Sequence, residues 1–270
     1  MTSEVLKLVH PSTMMIAGPT GSGKTRFVLD LLRHKMFEVS QNELNTKDLE
    51  RPFPDRLVWV YGEWQPLYQW VKHAVPESTK VDFIQNFDFQ LSPKQRNLVV
   101  LDDMMMTAKG DKTVGEMFVQ GSHHRNATVI YIIQNLFAQG SQMRTIHLNT
   151  QYFNLMKTNR DLNQINLFGK QLLEHRFRQG FCDAFRDATK APHSYLLVDL
   201  HSKTPDTWKL RANIFPGEDN IVYVLKGMES GLDEELEKEH VEDEKEQDEK
   251  HIKEENYDVP PWKKAKWSHE

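Results

Sequence analysis

Apolar and polar positions along the chain fall into blocks of two kinds. Residues 12–17 (STMMIA), 56–61 (RLVWVY), 97–101 (NLVVL), 127–133 (ATVIYII) and 152–156 (YFNLM) are short apolar runs bounded by Gly, Pro or polar residues, which predicts strands. The four consecutive apolar residues 98–101 call for cover on both faces, as in a parallel sheet. Residues 81–87 predict an edge strand, and 194–200 with 210–215 predict two late strands joined as a hairpin across Pro205-Asp206. Between the strands, Phe27, Val28, Leu31 and Leu32 recur at helical spacing, as do Leu67, Trp70 and Val71. Residues 113–120 and 161–173 predict further helices, with Asp161 as an N-cap. Residues 1–11 form a lead-in, and the polar stretch 41–55, with Pro52 and Pro54, is a surface connection. Strand and helix alternate through most of the chain without internal repeats, so the expected fold is a three-layer α/β domain with a largely parallel sheet.

That periodicity stops at Glu229, which divides an expected domain (1–228) from a tail (229–270). Residues 229–255 hold 14 acidic residues against 4 lysines, a local charge of −10. With −5 over all 270 residues, the remainder carries +5. A mildly basic body with an acidic arm is compatible with nucleic acid as a partner. The arm is too polar to offset its chain entropy by burial, so a disordered segment or a solvated helix is expected. The last stretch, Val259-Pro260-Pro261-Trp262-Lys263-Lys264-Ala265-Lys266-Trp267, mixes basic and aromatic residues and reads as an unstructured terminus or a docking peptide. The single Cys182 excludes an internal disulfide framework and suits a reducing compartment. No secretory signal opens the sequence, and its apolar runs are strand-sized, so no membrane-spanning helix is expected.

The strongest chemistry lies just after the first apolar run. Gly18-Pro19-Thr20-Gly21-Ser22-Gly23-Lys24-Thr25 fits the phosphate-loop (Walker A) pattern G-x-x-x-x-G-K-[ST] at every fixed position. From average residue frequencies, that match arises by chance in about one chain of this length per hundred. The flanking strand and amphipathic helix are the required context. Glycines let the backbone wrap phosphates with its N–H groups, Lys24 supplies a cation for the β- and γ-phosphates, and the Thr25 hydroxyl is a Mg²⁺ ligand.

The run 98–101 ends in Asp102 and Asp103. A carboxylate at the end of a strand beside the loop holds Mg²⁺ opposite Thr25, a role that falls to Asp102. Asp103 is the candidate base for an attacking water, though slightly short for the task, and Glu63 after the strand 56–61 is its rival. Tyr61 and Trp64 are read as packing residues, with stacking on a base as the alternative. Gln134, at the end of the strand 127–133, is placed to contact a γ-phosphate and the lytic water. Arg125, Arg144 and Arg160 are candidates for an arginine supplied across a subunit interface, with Arg125 in a turn that can face a neighbour. His123 and His124 are adjacent in sequence and do not form a metal-ligand pattern.

Taken together, the loop 18–25, the strand 98–103 and the strand ending in Gln134-Asn135-Leu136-Phe137 resemble the FtsK–HerA class of P-loop ATPases. Within that class the chain is similar to genome-packaging ATPases of poxvirus-like viruses and Polinton/Maverick elements. Tyr61-Gly62-Glu63-Trp64-Gln65-Pro66, Leu148-Asn149-Thr150-Gln151-Tyr152, Asn159-Arg160-Asp161 and Tyr195-Leu196-Leu197-Val198-Asp199-Leu200 carry the finer likeness, which spans about residues 10–216. The resemblance implies a RecA-like core, ATP and Mg²⁺ as cofactors, and a homo-oligomeric ring. It also implies translocation of double-stranded DNA into a capsid through a capsid or portal partner, in the host nucleus or at a viral assembly site. The chain departs from the wider class at Asp103, where Glu is common. Two other readings stay open: a nucleoside or small-molecule kinase on the same core, and a nucleotide-dependent scaffold whose acidic arm binds a partner.

Overall fold

The computed structural model describes residues 7–39, 53–102, 108–121, 125–137, 141–158, 162–228 and 262–267. Strands β1 (Leu8–His10) and β3 (Phe37–Val39) pair in parallel as a small separate sheet. The remaining strands are β2 (Thr13–Ala17), β4 (Arg56–Tyr61), β5 (Lys80–Ile84), β6 (Asn97–Asp102), β7 (Ala127–Ile133), β8 (Tyr152–Met156), β9 (Tyr195–Asp199), β10 (Leu210–Ala212), β11 (Asn220–Leu225) and β12 (Trp262–Trp267). They form one ten-stranded sheet in the order β12-β11-β10-β9-β8-β2-β7-β6-β4-β5. From β5 to β8 all neighbours run parallel, and from β8 to β12 every pairing is antiparallel. The expected α/β class with a mostly parallel sheet is the one found.

Both faces of the sheet are covered, and the strand pleat explains how. Met15, Val58, Val99, Leu101, Val129 and Tyr131 face one buried cluster, where Phe118, Ile146, Phe168 and Phe181 pack against them. Their chain neighbours Met14, Ile16, Leu57, Trp59, Leu98, Val100 and Ile130 face the other, against Phe27, Val28, Leu31, Leu32 and Val71. Side chains alternate across a strand with period two, so a continuous apolar run feeds two cores at once. The first face is layered by α3 (Ala108–Glu116), α4 (Met143–Leu148), α5 (Leu162–Leu172) and α6 (Arg178–Ala188). The second carries α1 (Lys24–Arg33), the 3₁₀ turn Pro66–Trp70 and α2 (Val71–Ala74).

Several expected elements are found with shifted ends, and some were not anticipated. The helix expected at 113–120 begins at Ala108 and widens into a π turn at Met117–Gly121. The strand expected at 210–215 stops at Ala212, where Asn213 turns the backbone left-handed (φ 54°), and Phe215 beyond it packs its ring 5.3 Å from Phe27. β1, β3, α4, α6 and β11 are additional to the expected elements. The division at residue 228 needs one correction. Trp262–Trp267 is not a loose terminus: as β12 it pairs antiparallel with every residue of β11, from Asn220↔Trp267 to Leu225↔Trp262. The open edge of β11 supplies the backbone donors and acceptors that order it. The acidic run 229–255 lies outside the described residues. Among the described residues no helix is long and apolar enough to cross a membrane.

Candidate functional site

The phosphate loop joins the C-terminal end of β2 to the N-terminus of α1, and local constraints give it its shape. Gly18 donates its N–H to the Ile133 carbonyl at 3.2 Å, and a Cβ added there would lie 2.6 Å from the Met156 side chain. No other residue fits that close approach. Gly23 stands at the head of α1 with φ 99°, without a side-chain cap, and the first turn of the helix carries no acidic residue. The uncapped N–H groups and the positive end of the helix dipole favour an anion there. Lys24 Nζ donates to the Gly18 and Pro19 carbonyls at 2.7 and 3.0 Å, which holds its ammonium over the loop.

Thr25 and Asp102, 77 residues apart in sequence, meet beside the loop. The Thr25 hydroxyl donates to Asp102 Oδ2 at 3.0 Å, and both residues are buried. A hydroxyl has one proton and two lone pairs, so donation to Asp102 leaves the Thr25 oxygen able to coordinate a cation. The oxygen set suits a hard ion such as Mg²⁺, with phosphate oxygens and water filling the remaining positions. Among the described residues no group of three or more His, Cys, Asp and Glu side chains forms a self-sufficient metal site. Asp102 Oδ2 also accepts a hydrogen bond from the Tyr68 hydroxyl at 3.0 Å. Tyr68 is buried, and the sequence reading missed it.

The strand order brings in Gln134. β7 lies between β2 and β6, so its C-terminal end emerges between the phosphate loop and Asp102. Gln134 follows that end and is exposed. A cavity of about 570 Å³ is bordered by Gly21, Lys24, Thr25, Gln65, Asp102 and Gln134, among others. Lys24, Thr25, Asp102 and Gln134, singled out separately in the sequence, therefore line one space.

Other expectations fare differently. Glu63 is exposed and does not border this cavity, whereas Gln65, two residues on, does. Tyr61 and Trp64 belong to an aromatic cluster with Tyr68 and Phe83, at centroid distances of 5.1 to 6.5 Å, in which Trp64 stays 54% exposed. Arg125 precedes β7 at the opposite end of the sheet, where its carbonyl accepts a hydrogen bond from Asn97 Nδ2 at 3.0 Å. At about 3.3 Å per residue, the length of β7 puts roughly 20 Å or more between it and Gln134. Arg125 therefore does not reach the site of its own subunit. Arg144 is exposed on α4 and does not border the cavity. Asp103, Arg160, His123 and His124 lie outside the described residues. Cys182 is buried, its Sγ–H donating to Asn166 Oδ1, and burial pushes its pKa up, as suits an inert core thiol.

Among solved structures, the KaiC-like protein PH0186 of the hyperthermophilic archaeon Pyrococcus horikoshii OT3 is similar over 80% of this chain and 87% of its own, with 8% identity and a TM-score of 0.35. No protein-family model and no curated protein matches the chain. The α/β class rests on this chain's own strand order, and the site on its own geometry, rather than on that distant likeness.

Proposed function

We propose that the chain is a Mg²⁺-dependent ATPase of the P-loop type. The observation that carries this reading is the 3.0 Å hydrogen bond from Thr25 to Asp102 beside an uncapped helix N-terminus, with Lys24 and Gln134 on the same cavity. The loop amides and Lys24 bind and orient the triphosphate. Thr25 and Asp102 would hold Mg²⁺, which neutralises phosphate charge during transfer. Gln134 orients the lytic water against the γ-phosphate from the strand between loop and metal site. Asp103, next to Asp102 in the chain, is proposed as the base that takes the water's proton. Lys24→Ala tests the core of this reading. Hydrolysis of ATP by the full chain should fall at least a hundredfold in a phosphate-release assay while the melting temperature changes little.

The finer proposal is a ring-forming motor that drives double-stranded DNA into a capsid, docking on a capsid or portal protein. Support comes from the order and spacing of the sequence motifs and from the net positive body outside the acidic run. In such a ring the site is completed by a neighbour, and Arg125, at the far end of its own sheet, is the proposed residue supplied in trans. Hydrolysis should then rise on adding DNA of any sequence and lose that stimulation as salt increases. Hydrolysis indifferent to DNA at every salt concentration would remove the motor reading and leave the ATPase. Transfer of the γ-phosphate to a nucleoside, with little free phosphate, would instead mark a kinase.

A further inference from the structure

A second cavity, of about 680 Å³, lies on the other flank of the phosphate loop, lined by Pro19, Thr20, Ser22, Lys157, Pro192 and His193. His193 also borders the cavity that holds Lys24, Thr25 and Asp102, so its ring stands where the two spaces meet. The residue is exposed and has φ 59°, a left-handed backbone that a non-glycine residue adopts only when its surroundings impose it. Those surroundings are visible. Ser194 Oγ donates to the Ala191 carbonyl at 2.6 Å, Lys157 N–H donates to the Ser194 carbonyl at 3.0 Å, and Lys157 Nζ donates to the Lys190 carbonyl at 2.5 Å. The turn is thereby tied to the end of β8 and presses the imidazole onto the loop. A Cβ added at Gly23 would lie 3.2 Å from His193 Nδ1, so loop and ring are fitted to each other. Among the described residues neither ring nitrogen has a hydrogen-bond partner.

A triphosphate in the loop has a direction. Its terminal phosphate lies toward Asp102 and Gln134, so the nucleoside leaves on the other side, past Gly23 and Arg26, where His193 stands. We propose that His193 is the nucleoside-recognising wall of the site, its imidazole packing against the base and ribose of the bound nucleotide. This assignment rests on the nucleotide reading above and adds the residue that distinguishes a nucleotide from a bare polyphosphate. A ring fixed before binding stacks on a base with little ordering cost.

The test compares ATP with inorganic tripolyphosphate, each with Mg²⁺, by isothermal titration calorimetry on the full chain and on His193→Asn. Asparagine tolerates the left-handed backbone, so the turn is retained while the ring is lost. The expected result is about a tenfold weaker affinity for ATP with that for tripolyphosphate unchanged. Equal losses for both, or none for either, would overturn the assignment. A wild-type chain that binds tripolyphosphate and ATP equally also overturns it and spares phosphate binding. A wild-type chain that binds neither overturns the nucleotide reading and this assignment with it. Independently of any variant, the His193 ring proton resonances of the wild type should move further on adding ATP than on adding tripolyphosphate; shifts of equal size with both would refute stacking.

Discussion

Tyr68→Phe removes one oxygen from the candidate site and little else. The Tyr68 ring packs 5.3 Å from Trp59 and 5.4 Å from Trp64, centroid to centroid, and phenylalanine keeps both contacts. What disappears is the hydroxyl that donates to Asp102 Oδ2 at 3.0 Å, leaving that oxygen the Thr25 hydroxyl at the same distance. A hydrogen bond to a buried carboxylate contributes about 1.5–3 kcal/mol. The folded state should thus lose roughly 2 kcal/mol, read as a lower urea midpoint at unchanged slope. The functional effect is separate from this loss. Groups that orient a metal-binding carboxylate typically change metal affinity or turnover 10- to 100-fold, so the Mg²⁺ concentration for half-maximal ATP hydrolysis should rise by about tenfold or more. Phosphate release measured across a Mg²⁺ titration, on protein shown to be folded at the assay temperature, provides the comparison. A variant that melts lower yet keeps the wild-type Mg²⁺ curve would show that Tyr68 only fills space, and that the bond to Asp102 has no part in metal binding.

Three further perturbations bear on the loop, the far end of the sheet and its antiparallel half. Gly23→Ala places a Cβ on a left-handed backbone 3.2 Å from His193, so ATP binding should weaken at least tenfold, checked by calorimetry, at a strain cost of about 1–2 kcal/mol. His10, buried between Thr128 Oγ1 at 2.8 Å and Asn126 Oδ1 at 2.9 Å, has its pKa pushed down to about 4, first by burial and further by Arg96. The unfolded chain therefore binds the proton first as pH falls, and stability present above about pH 6.5 is lost toward pH 4, by up to about 3 kcal/mol. Urea titrations of wild type and His10→Gln at several pH values should converge by about that amount on acidification. Arg211 and Asp199, both buried, form an ion pair between β10 and β9; Arg211→Ala strands the Asp199 carboxylate and should cost about 3–5 kcal/mol by the same measurement.

The parts of the site legible in the sequence are those whose chemistry is written in contiguous residues. The loop 18–25 announces itself through Gly and Lys at fixed spacing, and Asp102 through an apolar run that ends in a carboxylate. Gln134 was legible because a strand end is a defined place in an α/β sheet. Tyr68 was not, since its partner is 34 residues away and an aromatic in an amphipathic turn looks like core. Nor was His193, which reaches the loop only because β9 lies beside β8. Glu63 is a candidate base because it follows the C-terminal end of a strand, but it is Gln65, two residues on, that borders the cavity. The parallel half of the sheet was readable because its strands are buried on both faces and therefore continuously apolar. α6 carries Phe181, Ala184, Phe185 and Ala188 on one face at helical spacing, but two of the four are alanines and polar residues fill the other faces, so its apolar signal is weak in a linear reading. β1 and β3, at three residues each, are too short to carry a period.

The pairing of β12 with β11 bears on how the chain can be shortened in the laboratory. Composition suggests cutting at residue 228, which discards the acidic run as dispensable. The cut also discards Trp262–Trp267 and bares the outer edge of Asn220–Leu225, a strand of sequence NIVYVL with no charge and no proline. Natural sheets protect such edges because a bare one recruits strands from other molecules. A chain ending at 228 should therefore elute as soluble aggregates where the full chain does not. The better deletion removes only the acidic connection and keeps Trp262–Trp267 on a short polar link.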